Sequence, residues 1–293
     1  MPPQNERVTA QTLRRWGLPD AGGSKYDRGS VLVAGGARRT PGAVMLAGVA
    51  ALRVGAGRLV LGVADSIASA VAVAVPEAGV VPLPETTTGS VARDAHAALL
   101  PELKNVRALL FGSGLDDVDT AREIVAQLVP AAPDSLTVVL DAFALGAIAR
   151  HADLVRALRG RLVLTPNPAE IGILLDGDVD PDRPDDFRAA AQEVASQYGA
   201  ICATQSLVTA PDGTALSLEI GGPGLGTSGS GDVLAGAVAG FAARGVPPLR
   251  AAVWGTYVHA AAGDDLARDT EGIGYLAREL SARFPAVIAR TLA

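Results

Sequence analysis

Between Gly221 and Gly236 the chain reads GGPGLGTSGSGDVLAG and runs on into the apolar stretch AVAGFAARG. Six of the eleven residues from Gly221 to Gly231 are glycine. Neither a helix nor a strand interior sustains that density, because each glycine there costs about 1 kcal/mol relative to alanine. Such a run offers bare backbone whose N–H groups can converge on an anion. The helix that follows adds the positive end of its dipole, and together they make a phosphate site. Asp232 stands at the mouth of that helix. The helix end and nearby donors are expected to keep it ionised, as a general base beside a phosphoryl acceptor must be. An aspartate at that place can equally serve as a plain helix cap.

A second glycine-rich turn, Gly35-Gly36 followed by Thr40-Pro41-Gly42-Ala43, opens a helix over 42–54. It is not GxGxxG, so no dinucleotide fingerprint is present. Three more apolar runs end in polar or glycine turns: Gly112-Ser113-Gly114-Leu115, Asp141-Ala142 and Thr165-Pro166-Asn167. In open α/β sheets the carboxyl ends of strands border the ligand crevice. Four such turns and an anion-binding helix therefore make a site. Glu170 is expected to open the next helix, where its charge suits the dipole. Trp16, Trp254, Tyr257 and His259 read as packing residues, since Trp254, Tyr257 and Ala261 share one helical face. Arg244 and Arg250 read as solvated helix faces.

The scarce residues exclude several chemistries. The two lysines, Lys25 and Lys104, do not lie in GxxxxGK, which removes a P-loop. A single cysteine, Cys202, leaves no disulfide or cysteine-cluster metal site. His96, His151 and His259 are too far apart for HExxH, so no protein-held metal is expected. With 25 basic and 31 acidic residues, net charge −6, the chain carries no basic stripe, and no nucleic-acid partner is expected. The most apolar stretch, Gly42 to Val63, is interrupted by Arg53 and Arg58 and reads as helix then strand, not as a membrane span. MPPQNERVTAQTLRRW lacks the pattern of a signal peptide, and a cytoplasmic location is expected.

The elements that must position these residues follow from the runs between them. Ser30–Ala34, Arg58–Val63, Arg107–Phe111, Leu136–Leu140 and Arg161–Thr165 read as buried strands. Helical patterns lie near 42–54, 91–102, 119–129, 168–175 and 184–198. Strand and helix in alternation predict an α/β fold, with a central, mostly parallel sheet flanked by helices on both faces. After residue 200, ICATQSLVTA and TALSLEI flank Pro211-Asp212-Gly213, which predicts a late antiparallel hairpin. From Asp232 onward the chain is helical, Asp176 to Asp186 is a solvated loop, and one domain spans 1–293. A hydrophobic share of 49% is ample for its core.

KYDRGSVLVAGGARRTPGAVMLAGVAALRVGAG (Lys25–Gly57), LTPNPAE and GTSGSGDVLAG occur in order, with Pro76-Glu77 and AAVWGTYVHAAAGDDLA as further matches. Together they resemble the NAD(P)H-hydrate dehydratase family of the ribokinase-like superfamily, from about residue 10 to the C-terminus. The resemblance implies repair of the hydrated cofactors NADHX and NADPHX at the expense of ADP or ATP, with Mg2+ accompanying the nucleotide. It places Asp232 as the base, and Ala43, Gly114, Asn167 and Asp232 at the hydrate. Cys202, Ala203, Thr204, Gln205 and Ser206, together with Gly229, Ser230 and Gly231, fall at nucleotide positions. Homo-oligomerisation and cooperation with a separate epimerase are further implications. The chain departs from the family pattern where Cys202 replaces a phosphate-approaching lysine, a loss worth about 1.5–3 kcal/mol. GPGLG reads Gly112-Ser113-Gly114-Leu115-Asp116, Asp-Ala-Asp reads Asp141-Ala142-Phe143, and Asn167 replaces a common histidine. A small-molecule kinase of the same superfamily, or a nucleotide-binding paralogue without turnover, would share these features.

Overall fold

Every residue of SVLVA from Ser30 to Ala34 is buried, which requires a strand covered on both faces. The computed structural model describes residues 5–20 and 22–293. Residues 1–4 and Ala21, which belong to the expected domain and in part to the segment read for a leader, lie outside them.

In chain order the first half runs β1 (Asn5–Arg7), α1 (Ala10–Trp16), β2 (Ser30–Ala34), α2 (Pro41–Arg53), β3 (Arg58–Ala64), α3 (Asp65–Ala74), β4 (Ala78–Leu83), α4 (His96–Leu103), β5 (Ala108–Phe111), α5 (Val118–Ala131) and β6 (Thr137–Leu140). The second half adds α6 (Phe143–Ile148), β7 (Leu162–Leu164), α7 (Pro168–Leu175), α8 (Pro184–Tyr198), β8 (Ile201–Ala203), β9 (Leu207–Thr209), β10 (Ala215–Ser217), α9 (Ser230–Ala243), α10 (Pro248–Asp269) and α11 (Ala277–Leu292).

The strands form one sheet in the order β1-β10-β9-β8-β7-β6-β5-β2-β3-β4. From β4 through β8 the pairing is parallel, β8–β9 and β9–β10 are antiparallel, and β1 lies parallel to β10. The chain lays β3 and β4 on one side of β2, then crosses back to lay β5 on the other. The carboxyl ends of β2 and β5 therefore flank the point where the winding reverses, the place where such sheets hold ligands.

Alternate residues of each strand feed two cores. Val31, Val33, Leu110 and Val139 face α1, α2, α3, α9, α10 and α11. Leu32, Leu109, Phe111 and Leu140 face α4 through α8. Trp254 and His259 are fully buried, as the packing reading required.

Four details differ from the sequence reading. ICATQSLVTA is two strands, because the Thr204 hydroxyl donates to Leu207 O at 2.9 Å and accepts Leu207 N–H at 3.0 Å, closing a turn. The strand β4 escaped notice because Pro82 lies within it; at the sheet edge its missing N–H is tolerated. Three-residue β1 carries no pattern of its own and exists by pairing with β10. Arg244 is half-buried, donating to Val54 O at 2.7 Å and lying 5.9 Å over the Phe241 ring, so it fastens the end of α9 to α2.

Helix α9 is buried at every position from Val233 to Ala243, as a helix apolar all round must be. Glycine lets it approach its neighbours. A Cβ on Gly236 would come within 2.1 Å of Ala47 O, and one on Gly240 within 2.6 Å of Ala51 Cα. Gly236→Ala is therefore expected to force α2 and α9 apart and lower stability by about 1–3 kcal/mol, read as a lower urea midpoint. Gly231→Ala, whose Cβ would meet nothing within 4 Å, should leave that midpoint essentially unmoved.

Candidate active site

The β2 and β5 turns touch through their backbones. Gly36 N–H donates to Ser113 O at 3.1 Å, and a Cβ on Gly35 would stand 2.0 Å from the same oxygen. Thr40 Oγ1 donates to Gly114 O at 2.6 Å. A Cβ on Gly114 would lie 3.1 Å from that of Ala43, so these two residues, 71 apart in sequence, are neighbours at the crevice.

Next to them the ends of β6 and β7 bring in carboxyls. Asp141 is buried; it accepts from Ser113 Oγ and from Thr165 Oγ1, each at 2.8 Å. Burial raises its proton affinity, and the two hydroxyls and the Ala142 N–H oppose the rise. Ala142 takes φ +49°, a left-handed value that costs a non-glycine residue of order 1–3 kcal/mol. Asn167 and Glu170 form a capping box on α7: Asn167 Oδ1 accepts Glu170 N–H at 3.0 Å, and Glu170 Oε2 accepts Asn167 N–H at 2.8 Å. Glu170 opens its helix as expected, yet it is half-buried. Desolvation first, then the charges of Asp141 and Asp232, push its pKa up to about 7.

Asp232 occupies the first turn of α9, but the cap position belongs to Gly229, at φ +87°, with no side-chain cap bond. The expectation that the helix end keeps Asp232 ionised is corrected here. Burial first, and then the nearby Asp141 charge, push its pKa up to about 7. In the first turn, Ser230 N–H is taken by Thr227 O at 3.1 Å and the helical ladder starts at Val233 N–H. The amides of Gly231 and Asp232 are thus left without helical partners. Ser230 Oγ lies 2.9 Å from Nε2 of the buried His259. Burial pushes that imidazole down to about 4, keeping it neutral.

The β8–β9 segment divides by exposure. Gln205 and Ser206 are exposed, while Cys202 and Ala203 are fully buried and Thr204 nearly so. The Cys202 thiol lies in the core on the α8 side, and burial pushes it up to about 12. The Cys202 and Ala203 side chains thus present nothing to a nucleotide, and the Thr204 hydroxyl is spent on the turn. Asp116 turns aside to accept Ser90 Oγ at 3.1 Å. Phe143 is 39% exposed at the start of α6. Sequence reasoning recognised the strand-end turns but not the bonding of Ser113, Asp141 and Thr165, since contacts between residues 24 and 28 apart leave no spacing signal.

A mostly parallel sheet with a late antiparallel hairpin, and a glycine-rich loop leading into a buried helix, make up a ribokinase-like fold. A ribokinase-like protein of Enterococcus faecalis shares the fold, with TM-score 0.81 over 98% of this chain and 96% of that one at 22% identity. The sequence pattern of the NAD(P)H-hydrate dehydratases matches residues 31–286, and the chain belongs to that family. An ADP-dependent (S)-NAD(P)H-hydrate dehydratase of Xanthomonas campestris is 43% identical over 98% of each chain. The bifunctional NAD(P)H-hydrate repair enzyme Nnr of Moorella thermoacetica is 35% identical over 97% of this chain and 54% of its own length; this chain spans about half of that relative. The ADP/ATP-dependent NAD(P)H-hydrate dehydratase of Bacillus subtilis, co-crystallised with ATP/Mg2+, is 26% identical with TM-score 0.74 over 98% of each chain.

The raised carboxyls set a pH dependence of stability. Folded Asp232 and Glu170 hold protons up to about 7, whereas in the unfolded chain they lose them near 3.8 and 4.5. Between those values the folded state binds more protons, so stability falls as pH rises through this window and levels off above about 7. Asp232→Asn removes one such group. Its melting temperature should exceed that of the wild type by about 2 °C or more at pH 8, and the gap should close towards pH 4.

Proposed function

We propose that the protein dehydrates NADHX and NADPHX to NADH and NADPH with ADP or ATP as phosphate donor. The observation that carries the reading is the Asp232 carboxyl, set in the first turn of α9 after the anion loop with a pKa near 7. A base with that affinity takes a proton from a hydroxyl and releases it again near neutral pH. The substrate's ring hydroxyl loses its proton to Asp232 and its oxygen attacks the terminal phosphoryl group, releasing the shortened nucleotide. The ring C–O bond then breaks with phosphate as leaving group, a ring proton is lost, and the double bond returns. The sum is removal of water and hydrolysis of one phosphoanhydride.

The free amides of Gly231 and Asp232 suit the transferred phosphoryl oxygens, electrostatic support aimed at developing charge. Ala43 and Gly114, small residues at the joined β2 and β5 turns, would border the hydrate, as would the exposed amide of Asn167. Gln205 and Ser206 with Gly229, Ser230 and Gly231 would hold the nucleotide. Among the described residues no group of three or more His, Cys, Asp or Glu could hold a metal ion. Mg2+ therefore suits this site as a companion of the nucleotide phosphates, where it neutralises charge. Among the described residues no helix is long and apolar enough to cross a membrane. Action in the cytoplasm as a single-domain homo-oligomer, with a separate epimerase supplying the correct hydrate epimer, completes the proposal; the fused relatives support the last point.

The test is the return of NADH absorbance when purified protein meets NADHX, Mg2+ and ADP or ATP. Wild-type protein should restore it, and Asp232→Asn should lose roughly a hundredfold or more in kcat. A stable phosphorylated product would identify a kinase instead, and nucleotide binding without turnover a paralogue that only senses.

A further inference from the structure

Two buried side chains at the first turn of α9 have hydrogen-bonding capacity left over. His259 on α10 has none of its surface exposed, and Ser230, the first residue of α9, has 3%. They meet at 2.9 Å, Nε2 to Oγ, and Ser230 Oγ has no other partner among the described residues. The second ring nitrogen of His259, Nδ1, has no partner there at all. A neutral imidazole carries one N–H, so the contact can be made in two ways. If Ser230 donates to Nε2, the ring proton sits on Nδ1 as a fixed, buried and orphaned N–H, a rare condition in proteins. If Nε2–H donates to Ser230 Oγ, Nδ1 keeps only a bare lone pair. The hydroxyl proton is then free, on a group that can rotate, in the same turn as the unpartnered amides of Gly231 and Asp232.

Building on the reading that this turn takes the nucleotide phosphates, we infer that His259 is a positioning residue: as the Nε2–H tautomer it donates to Ser230 Oγ and so leaves the hydroxyl proton for a phosphate oxygen of the nucleotide. The other neighbours of the turn cannot do this. A Cβ on Gly229 would stand 2.5 Å from Leu46 Cδ1 of α2 and 3.3 Å from Ala277 Cβ of α11. Those apolar contacts fix where the turn lies, and only the imidazole orients its hydroxyl. The result is a third donor beside two free amides, suited to an anion with several oxygens.

Ring-nitrogen NMR of histidine-labelled protein reads the tautomer directly. The chain has three histidines, so His259 is assigned by elimination against His96→Gln and His151→Gln. Protonated Nε2 with bare Nδ1 is expected, and the reverse overturns the inference. Calorimetry with ADP and Mg2+ reads the consequence. Ser230→Ala should weaken ADP binding by roughly tenfold or more, the size of a hydrogen bond to a charged group. His259→Leu should weaken it comparably, and the double variant no further than Ser230→Ala alone, since both act through one proton. Additive losses, or unchanged affinity in folded Ser230→Ala protein, overturn the inference. A merely structural His259 would lower the urea midpoint on substitution and leave the ADP affinity of folded protein unmoved. Should His259→Leu fail to fold, the tautomer and Ser230→Ala decide together. Wild-type protein that binds neither ADP nor ATP overturns the inference as well. ADP binding that is lost in Ser230→Ala, in a protein inactive towards NADHX, would sink the dehydratase reading and uphold this one.

Discussion

The buried aspartate Asp141, 5% exposed, follows β6, and the site is arranged round it. Burying Asp141 carries a desolvation cost that is tolerable only if its oxygens are bonded. Ser113 from the β5 turn and Thr165 from the end of β7 meet that demand, which ties three adjacent strand ends together. The same burial makes Asp141 an effective source of field, and both Asp232 and Glu170 feel it. One interaction thus joins the geometry of the crevice to its proton chemistry. A loose turn at Ala142 would release both, which fits the left-handed φ held there.

The close packing of α9 serves the same end by a different route. Gly236 and Gly240 seat the helix against Ala47 and Ala51 of α2, and Gly255 of α10 admits Val238 from the other side. The first turn of α9, which carries the amides and Asp232, is consequently the end of a helix held along its whole length. The N-terminal end of α2 carries Ala43. The Ala43 turn and the Asp232 turn are therefore the ends of two closely packed helices.

Much of the fold was legible because its strands are buried on both faces and read as continuous apolar runs. Ser30–Ala34 matches its expected bounds, as do α7 and α8. What escaped had no local signal. The strand β1 depends on a partner more than two hundred residues away, and β4 carries a proline that only an edge strand tolerates. At the site, glycine density marked out the loop that leads into α9, since neither helix nor strand sustains such a run. The bonding of Ser113, Asp141 and Thr165 depends on strand order, which no spacing encodes. The raised affinity of Asp232 was likewise hidden, because the helix dipole is a local feature whereas Asp141 arrives from another strand.

The lone thiol of Cys202 has a consequence outside catalysis. It is fully buried in the middle of β8 and held near 12, so the thiolate that reacts with alkylating agents and oxidants is scarcely present in the native fold. Exposure requires the sheet to open beside the β8–β9 turn. The chain carries one cysteine, so uptake of a thiol reagent is a clock with a single hand. Its rate measures how often the sheet opens at β8, without any label having been introduced.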